Sequence, residues 1–127
     1  PSAATPRPAK GAATPSGKVL AGRLAALLRR SRCAEGTSLE SLESDPVRLR
    51  AFERIMELVG ESAKRLPEEL RSKYPQVPWK QVSGMRDVIS HAYEDLAYEI
   101  LWDALHLHFP QLQETVSQML LDLESAN

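Results

Sequence analysis

The sequence has a single cysteine, Cys33. One thiol excludes a disulfide framework within the chain and any thiolate metal cluster built from one copy, and it fits a reducing compartment. No apolar run approaches the roughly 20 residues that a membrane-spanning helix requires. Nor does a long apolar stretch follow the first positive charges, as a secretory signal would need. The expected location is the cytoplasm, with no membrane partner. The chain opens at Pro1 in place of Met, the pattern of a chain whose first residues were removed or left out. Short alternating runs of Val, Ile and Thr are also missing, and with them the strand signal. Apolar residues recur instead at three- and four-residue spacings, so the expected fold class is all-α. A length of 127 residues suits one domain with a single core and is too short for two comfortable ones.

Acid is missing from the first 32 residues, which hold Arg7, Lys10, Lys18, Arg23, Arg29, Arg30 and Arg32. The other 95 residues carry nine basic and 17 acidic side chains, so a chain of formal charge −1 divides into +7 and −8. Such asymmetry fits an anionic partner for the N-terminal segment, or equally a basic tail that folds against or solubilises an acidic domain. Residues 1–17 consist mainly of Pro, Ala, Ser, Thr and Gly, cannot bury a face, and read as a flexible tail. Residues 18–127 read as one helical domain.

Within that domain Val19, Leu20, Leu24, Leu27 and Leu28 form an apolar stripe, predicting a first helix from Lys18 to about Arg32. Residues 33–44 are polar and contain Gly36, a loop with one helical turn around Leu39 and Leu42. Asp45-Pro46 is a helix start, a capping oxygen followed by proline at the first position. Val47, Leu49, Phe52, Ile55, Met56, Leu58 and Val59 then cover more than half of the circumference, which makes this the central helix, running to about Leu66 before Pro67. A short helix is expected over 67–73. Residues 75–84, with two prolines, Trp79 and Gly84, predict a structured connection. Helices are expected from Met85 to about Glu94 and from Leu96 to Leu107, with Tyr98, Leu101, Trp102 and Leu105 inward. Pro110 predicts a bend before a last helix carrying Leu112, Val116, Met119 and Leu120. Trp79 and Trp102 read as core anchors.

The residues with most chemistry are Arg86, Asp87, His91 and Tyr93. A permanent cation, a titratable imidazole and a phenol within two helical turns suit work on a phosphodiester. His91 titrates near neutrality and can take or give the proton of a 2′-hydroxyl. Arg86 can hold the charge that grows on the phosphorane, and Asp87, four residues before His91, can orient the imidazole. On a helix Arg86 and His91 stand about 140° apart around the axis and roughly 7.5 Å along it, a gap more easily closed by a second copy of the site. Spacing alone does not separate this from a solvated helix face with a half-buried tyrosine, because eleven arginines and three histidines generate such pairs by chance. His106 and His108 point in nearly opposite directions and make a poor metal pair. Gly60-Glu61-Ser62 lacks the lysine and glycine spacing of a phosphate loop. No metal site and no cofactor are expected.

Across residues 38–120 the chain resembles the HepT-like family of HEPN proteins, the toxins of HepT/MntA toxin–antitoxin systems. The resemblance runs through Ile55-Met56-Glu57-Leu58-Val59-Gly60-Glu61-Ser62-Ala63-Lys64-Arg65-Leu66-Pro67 and Tyr74-Pro75-Gln76-Val77-Pro78-Trp79. It continues through Gly84-Met85-Arg86-Asp87, His91-Ala92-Tyr93 and Glu99-Ile100-Leu101-Trp102, and covers about two-thirds of the chain. It implies an up-and-down helical bundle whose homodimer lines one cleft with two Arg-x4-His motifs. It implies a metal-independent endoribonuclease in which Arg86 and His91 match the catalytic pair, with Asp87 at the polar position after the arginine. Tyr93 matches the tyrosine that an MntA-like nucleotidyltransferase antitoxin modifies with AMP. RNA and that antitoxin are the implied partners. Ala92 and Ala97 depart from the family pattern, where glycine and an acid are usual, and the basic N-terminus is longer than the family core. Two rivals stand beside this reading: a non-catalytic HEPN partner or substrate-holding subunit of a nucleotidyltransferase, and a purely structural helical dimer.

Overall fold

The first helix, α1 (Gly17–Ser31), starts behind Ser16, whose hydroxyl accepts the Val19 amide at 3.2 Å. A side-chain oxygen here satisfies one of the amides that every helix start leaves without a backbone partner. The computed structural model describes residues 16–34, 36–90 and 95–125. The expected tail over 1–17 therefore lies outside the described residues, apart from Ser16 and Gly17, which belong to the helix start. Leu20, Leu24 and Leu28 are buried as the stripe requires, but their companions are Ala21 and Ala25. Val19, counted in the stripe, is 46% exposed. Small side chains on the buried face let neighbouring helices come close, since interaxial distance follows side-chain size.

A single 3-10 turn (Arg32–Ala34) follows, and Gly36 takes a positive φ of 83°, open to glycine without strain. The helix α2 (Leu39–Glu43) is the expected turn, capped by Ser38 through the Ser41 amide at 3.0 Å, with Leu42 buried.

The central helix is α3 (Pro46–Arg65). Asp45 Oδ1 accepts the Arg48 amide at 3.2 Å and proline occupies the first turn, as the Asp45-Pro46 pair predicts. Phe52, Met56, Val59, Gly60 and Ala63 form its buried line. Val47 is 79% exposed: five residues before Phe52, it stands about 140° away from that line. Leu66 turns to extended backbone ahead of Pro67, the conformation that a following proline favours. Then come α4 (Glu68–Arg71), a turn region over 72–78, α5 (Trp79–Ser83), α6 (Met85–Ser90) and α7 (Asp95–Asp103). The expected connection over 75–84 thus holds a five-residue helix, with the Trp79 indole donating to the Tyr74 carbonyl at 3.0 Å.

A bend at Pro110 is replaced by a change of winding. Helical backbone continues from Asp95 to Ser125, passing through a π segment (Ala104–His108) into α8 (Phe109–Ser125). Leu101, Leu105 and Phe109 are all buried at four-residue spacing. Two such steps overshoot one face of an α-helix by about 80°. The wider π turn advances fewer degrees per residue and brings Phe109 back to the core. Pro110 has no amide hydrogen to give, so α winding through it would lack a bond in any case.

The start of α1 lies beside Leu70, just beyond the end of α3, and Lys18 Nζ stands 4.0 Å from Glu124 Oε1 at the end of α8. So α1 runs antiparallel to both helices it packs on, while α3 also carries α5 and α6. No strand occurs among the described residues, and the all-α bundle stands as expected. Among them, too, no helix is long and apolar enough to cross a membrane.

Two phenols tie distant segments. Tyr98 Oη donates to Glu53 Oε1 at 2.7 Å, and Tyr74 Oη donates to Asp122 Oδ2 at 2.6 Å, with Gln118 Nε2 on the other carboxylate oxygen at 2.8 Å. Burial, then the hydrogen bond to Asp122, pushes Tyr74 up from 10.0 to about 12. Hydrogen bonds from Tyr74 and then Gln118 hold Asp122 below the usual carboxylate value. A phenol raised by folding contributes stability that is complete below its unfolded pKa and is lost as pH climbs through the folded one. Thermal stability is therefore expected to fall between pH 10 and about 12, and Tyr74→Phe should make that fall shallower in melts followed by circular dichroism. An equally steep fall in the variant would show that the Tyr74–Asp122 bond is not formed.

Candidate active site

Three of the six residues of α6 set its orientation. Met85 is buried, and Val88 and Ile89 are half-buried against the core. Spacings of three and four residues put them on one side, so Arg86, Asp87 and Ser90 are turned outward and are exposed. The helix is joined to α5 through Gly84, whose carbonyl accepts the amides of Asp87 at 3.0 Å and Val88 at 3.3 Å.

Gly60 on α3 decides where this pair of short helices sits. A Cβ at Gly60 would stand 3.1 Å from the Val82 carbonyl oxygen, 3.4 Å from the Arg86 nitrogen and 3.5 Å from the Ser83 oxygen. The approach is backbone to backbone. It brings the next residue of α3 to the site: Arg86 Nη1 lies 3.4 Å from Glu61 Oε1, with the two side chains 61% and 33% exposed. An ion pair this open to water is weak, but it gives the guanidinium a resting direction. Five N–H donors in a planar fork allow a phosphate to be gripped beside the carboxylate or in exchange for it.

Arg86 and Asp87 are thus placed on one exposed face of α6. His91 and Tyr93 lie outside the described residues. Glu61 went unnoticed as a partner in the sequence because it is 25 positions from Arg86, beyond any helical spacing. The available signal was its neighbour, an isolated glycine within an amphipathic helix, which marks a close backbone approach.

Beside α6 an open cavity of about 530 Å³ is lined by Met85, Val88, Ile100, Ala104, Leu107 and Phe109, among others. Ile100 and Leu107 are 46% and 69% exposed there, an apolar patch next to the charged face. Trp102 packs on Phe52 with ring centroids 6.0 Å apart and on His106 at 4.6 Å, and His106 Nδ1 meets the Trp102 carbonyl at 2.9 Å. The two histidines are at the surface, and both tryptophans are half-buried against the core. Among the described residues no group of three His, Cys, Asp or Glu side chains is arranged to hold a metal ion.

Residues 24–119 match the family described as ribonuclease HepT-like. The chain belongs to that family. The match begins inside α1, earlier than residue 38, so the basic helix is part of the HepT-like domain. The chain is similar to a provisionally named RNase of Caldanaerobacter subterraneus subsp. tengcongensis, 42% identical over 86 residues, covering 68% of this chain and 77% of the relative. It is 39% identical over 75 residues to a provisionally named RNase of Methanocaldococcus jannaschii, covering 59% of this chain and 62% of that one. A provisionally named ribonuclease HepT of Thermococcus cleftensis is 32% identical over 60 residues, covering 47% and 54%. Apart from the first, the chain spans less than two thirds of the length of these relatives. No solved structure matches the chain.

The Gly60 contact has a measurable consequence. Alanine in a helix interior is favoured over glycine by about 1 kcal/mol where space allows. At Gly22 no heavy atom lies within 4 Å of an added Cβ, and Gly22→Ala is expected to raise the melting temperature by a few degrees. Gly60→Ala must push the backbone of α6 and is expected to lower it, with a changed position of Arg86. Thermal melts of the two variants side by side check this: a gain at both positions would mean that α5 and α6 yield freely.

Proposed function

We propose that this HepT-like protein is a metal-independent endoribonuclease toxin of a toxin–antitoxin system, acting through Arg86 and His91 at a homodimer cleft. Family membership supports RNA as the substrate class. The observation that carries the site is Arg86 itself, held outward by the apolar side of α6 with its guanidinium in water beside a carboxylate it can exchange for phosphate. His91 takes the proton of a ribose 2′-hydroxyl. The freed oxygen bonds to the adjacent phosphorus, the bond to the 5′-oxygen breaks, and that oxygen collects a proton from an imidazolium. The products are a 2′,3′-cyclic phosphate and a 5′-hydroxyl. Arg86 stabilises the extra negative charge on phosphorus between these events, and Asp87 supports the imidazole.

A second copy of the chain is the proposed cover for the apolar patch at Ile100 and Leu107, which adjoins α6. Such a dimer would set two Arg86 side chains around one cleft and relieve the angular separation of Arg86 and His91. Tyr93, two residues beyond His91, is the proposed control point: AMP added there by a nucleotidyltransferase antitoxin would set a phosphate beside Arg86 and repel RNA. The catalytic domain of this reading starts with α1.

Purified protein freed of any partner is expected to cut single-stranded RNA in the presence of a chelator. Arg86→Ala and His91→Ala should each lower the rate at least a hundredfold, the scale for removing a transition-state donor or a general base, with unchanged helical circular dichroism. Undiminished cutting by both variants sinks the catalytic assignment. Stable capture of a nucleotidyltransferase without cutting by any form would favour the non-catalytic partner instead.

For the control point, intact mass is recorded after incubation with the antitoxin and ATP. The parent is expected to gain AMP and Tyr93→Phe to gain none; equal gain in both would move the modification elsewhere.

A further inference from the structure

Glu61 faces two features. One side meets Arg86; the other borders a groove of about 340 Å³ along the seam between α1 and α3. Arg23 and Arg30 rise from the α1 wall and Arg65 from the α3 wall, all three exposed. Seven residues apart, Arg23 and Arg30 share a side of α1 and stand about 10.5 Å from each other along its axis. Leu27 and Leu58, both half-buried, form an apolar floor, and Ser62 adds a hydroxyl.

Two other arginines of α3 are differently placed. Arg50 and Arg54 pair with Glu53 and Glu57 one turn on. Among the described residues, no carboxylate pairs with Arg23, Arg30 or Arg65. The one carboxylate at the groove, Glu61, is already engaged with Arg86. The seam is therefore a concave strip of positive charge in a domain that is acidic beyond residue 32.

We propose that the α1–α3 seam is a phosphate-binding track that holds a single RNA strand and leads it to Arg86. The inference rests on the ribonuclease reading for what happens at the end of the track, but the track itself is a binding site. Guanidinium forks spaced along a groove suit successive phosphates. An apolar floor suits the face of a base or sugar, as in grooves that bind single strands without sequence preference. An acidic protein surface would match the charge but has no use for a narrow apolar floor, and it would not explain why the groove's one carboxylate, Glu61, is the one that meets Arg86.

The test uses the full chain carrying His91→Ala, so that RNA stays intact, and a fluorescein-labelled oligouridylate of about 12 nucleotides, within the range that single-strand grooves occupy. Affinity is read by anisotropy across a salt series. For single strands each phosphate contact contributes roughly 0.7 to the slope of log affinity against log salt. Adding Arg23→Gln, Arg30→Gln and Arg65→Gln together is expected to weaken binding at least tenfold and to flatten the slope by about 2. The lysine versions should keep most of the slope, and Arg48→Gln, exposed on the first turn of α3 away from the groove, should keep all of it.

On an otherwise unaltered chain, the three glutamine changes should raise KM for the long RNA and leave turnover of a dinucleotide unchanged. If the triple variant binds the oligonucleotide with the parent's affinity and slope, the track is overturned. It is overturned as an RNA site, too, if the triple variant loses only its hold on a nucleotidyltransferase. A parent that binds with the expected slope but cuts nothing would end the ribonuclease reading and leave the track in place.

Discussion

At Gly60 the backbone of α3 meets the junction of α5 and α6 without a side chain between them, and the positions of Arg86 and Asp87 depend on that approach. An isolated helix of six residues is not stable in water, because helices below roughly 12–15 residues are marginal there. The helix α6 exists because Met85, Val88 and Ile89 are pressed on the core and because α3 supplies a flat place to rest. The same contact carries Glu61 to within 3.4 Å of Arg86. A glycine at one position thus converts the register of the central helix into the direction of a guanidinium on another.

Charge is sorted by the same helix. In its first half, Arg50 and Arg54 meet glutamates three residues on and cancel locally. Towards its end Arg65 has no such companion and faces the arginines of α1. A chain with almost no net charge therefore presents one strongly positive seam, which is how a near-neutral protein can attract a polyanion. The antiparallel packing of α1 on α3 is what brings the acid-free segment to that seam.

Much of the architecture was legible in residues whose local physics leaves little choice. Asp45-Pro46 and Leu66-Pro67 bounded the central helix to within a residue, since capping oxygens and missing amides act over one turn. The apolar stripe of α1 is legible in Leu20, Leu24 and Leu28, all buried, but it includes the exposed Val19 and omits Ala21 and Ala25, whose small side chains carry little apolar signal. The winding before Pro110 is not legible, because a proline in sequence looks the same whether the chain bends or loosens into a π turn. In the site, Arg86 and Asp87 were found from their own chemistry, and their exposure follows from the apolar spacing of α6. The Glu61 partner and the arginine seam were not, because they are products of helices meeting in space.

The π segment has a consequence for chain length. A π turn amounts to an α turn with one residue added. Loss of one residue from Ala104–His108 would return that stretch to ordinary winding, with α7 and α8 still joined and the difference absorbed locally. The same loss within α3 ahead of Gly60 would turn every residue beyond it by about 100°, and Gly60 could no longer face the α5–α6 junction. The fold thus has one place where the count of residues is negotiable and one where it is not.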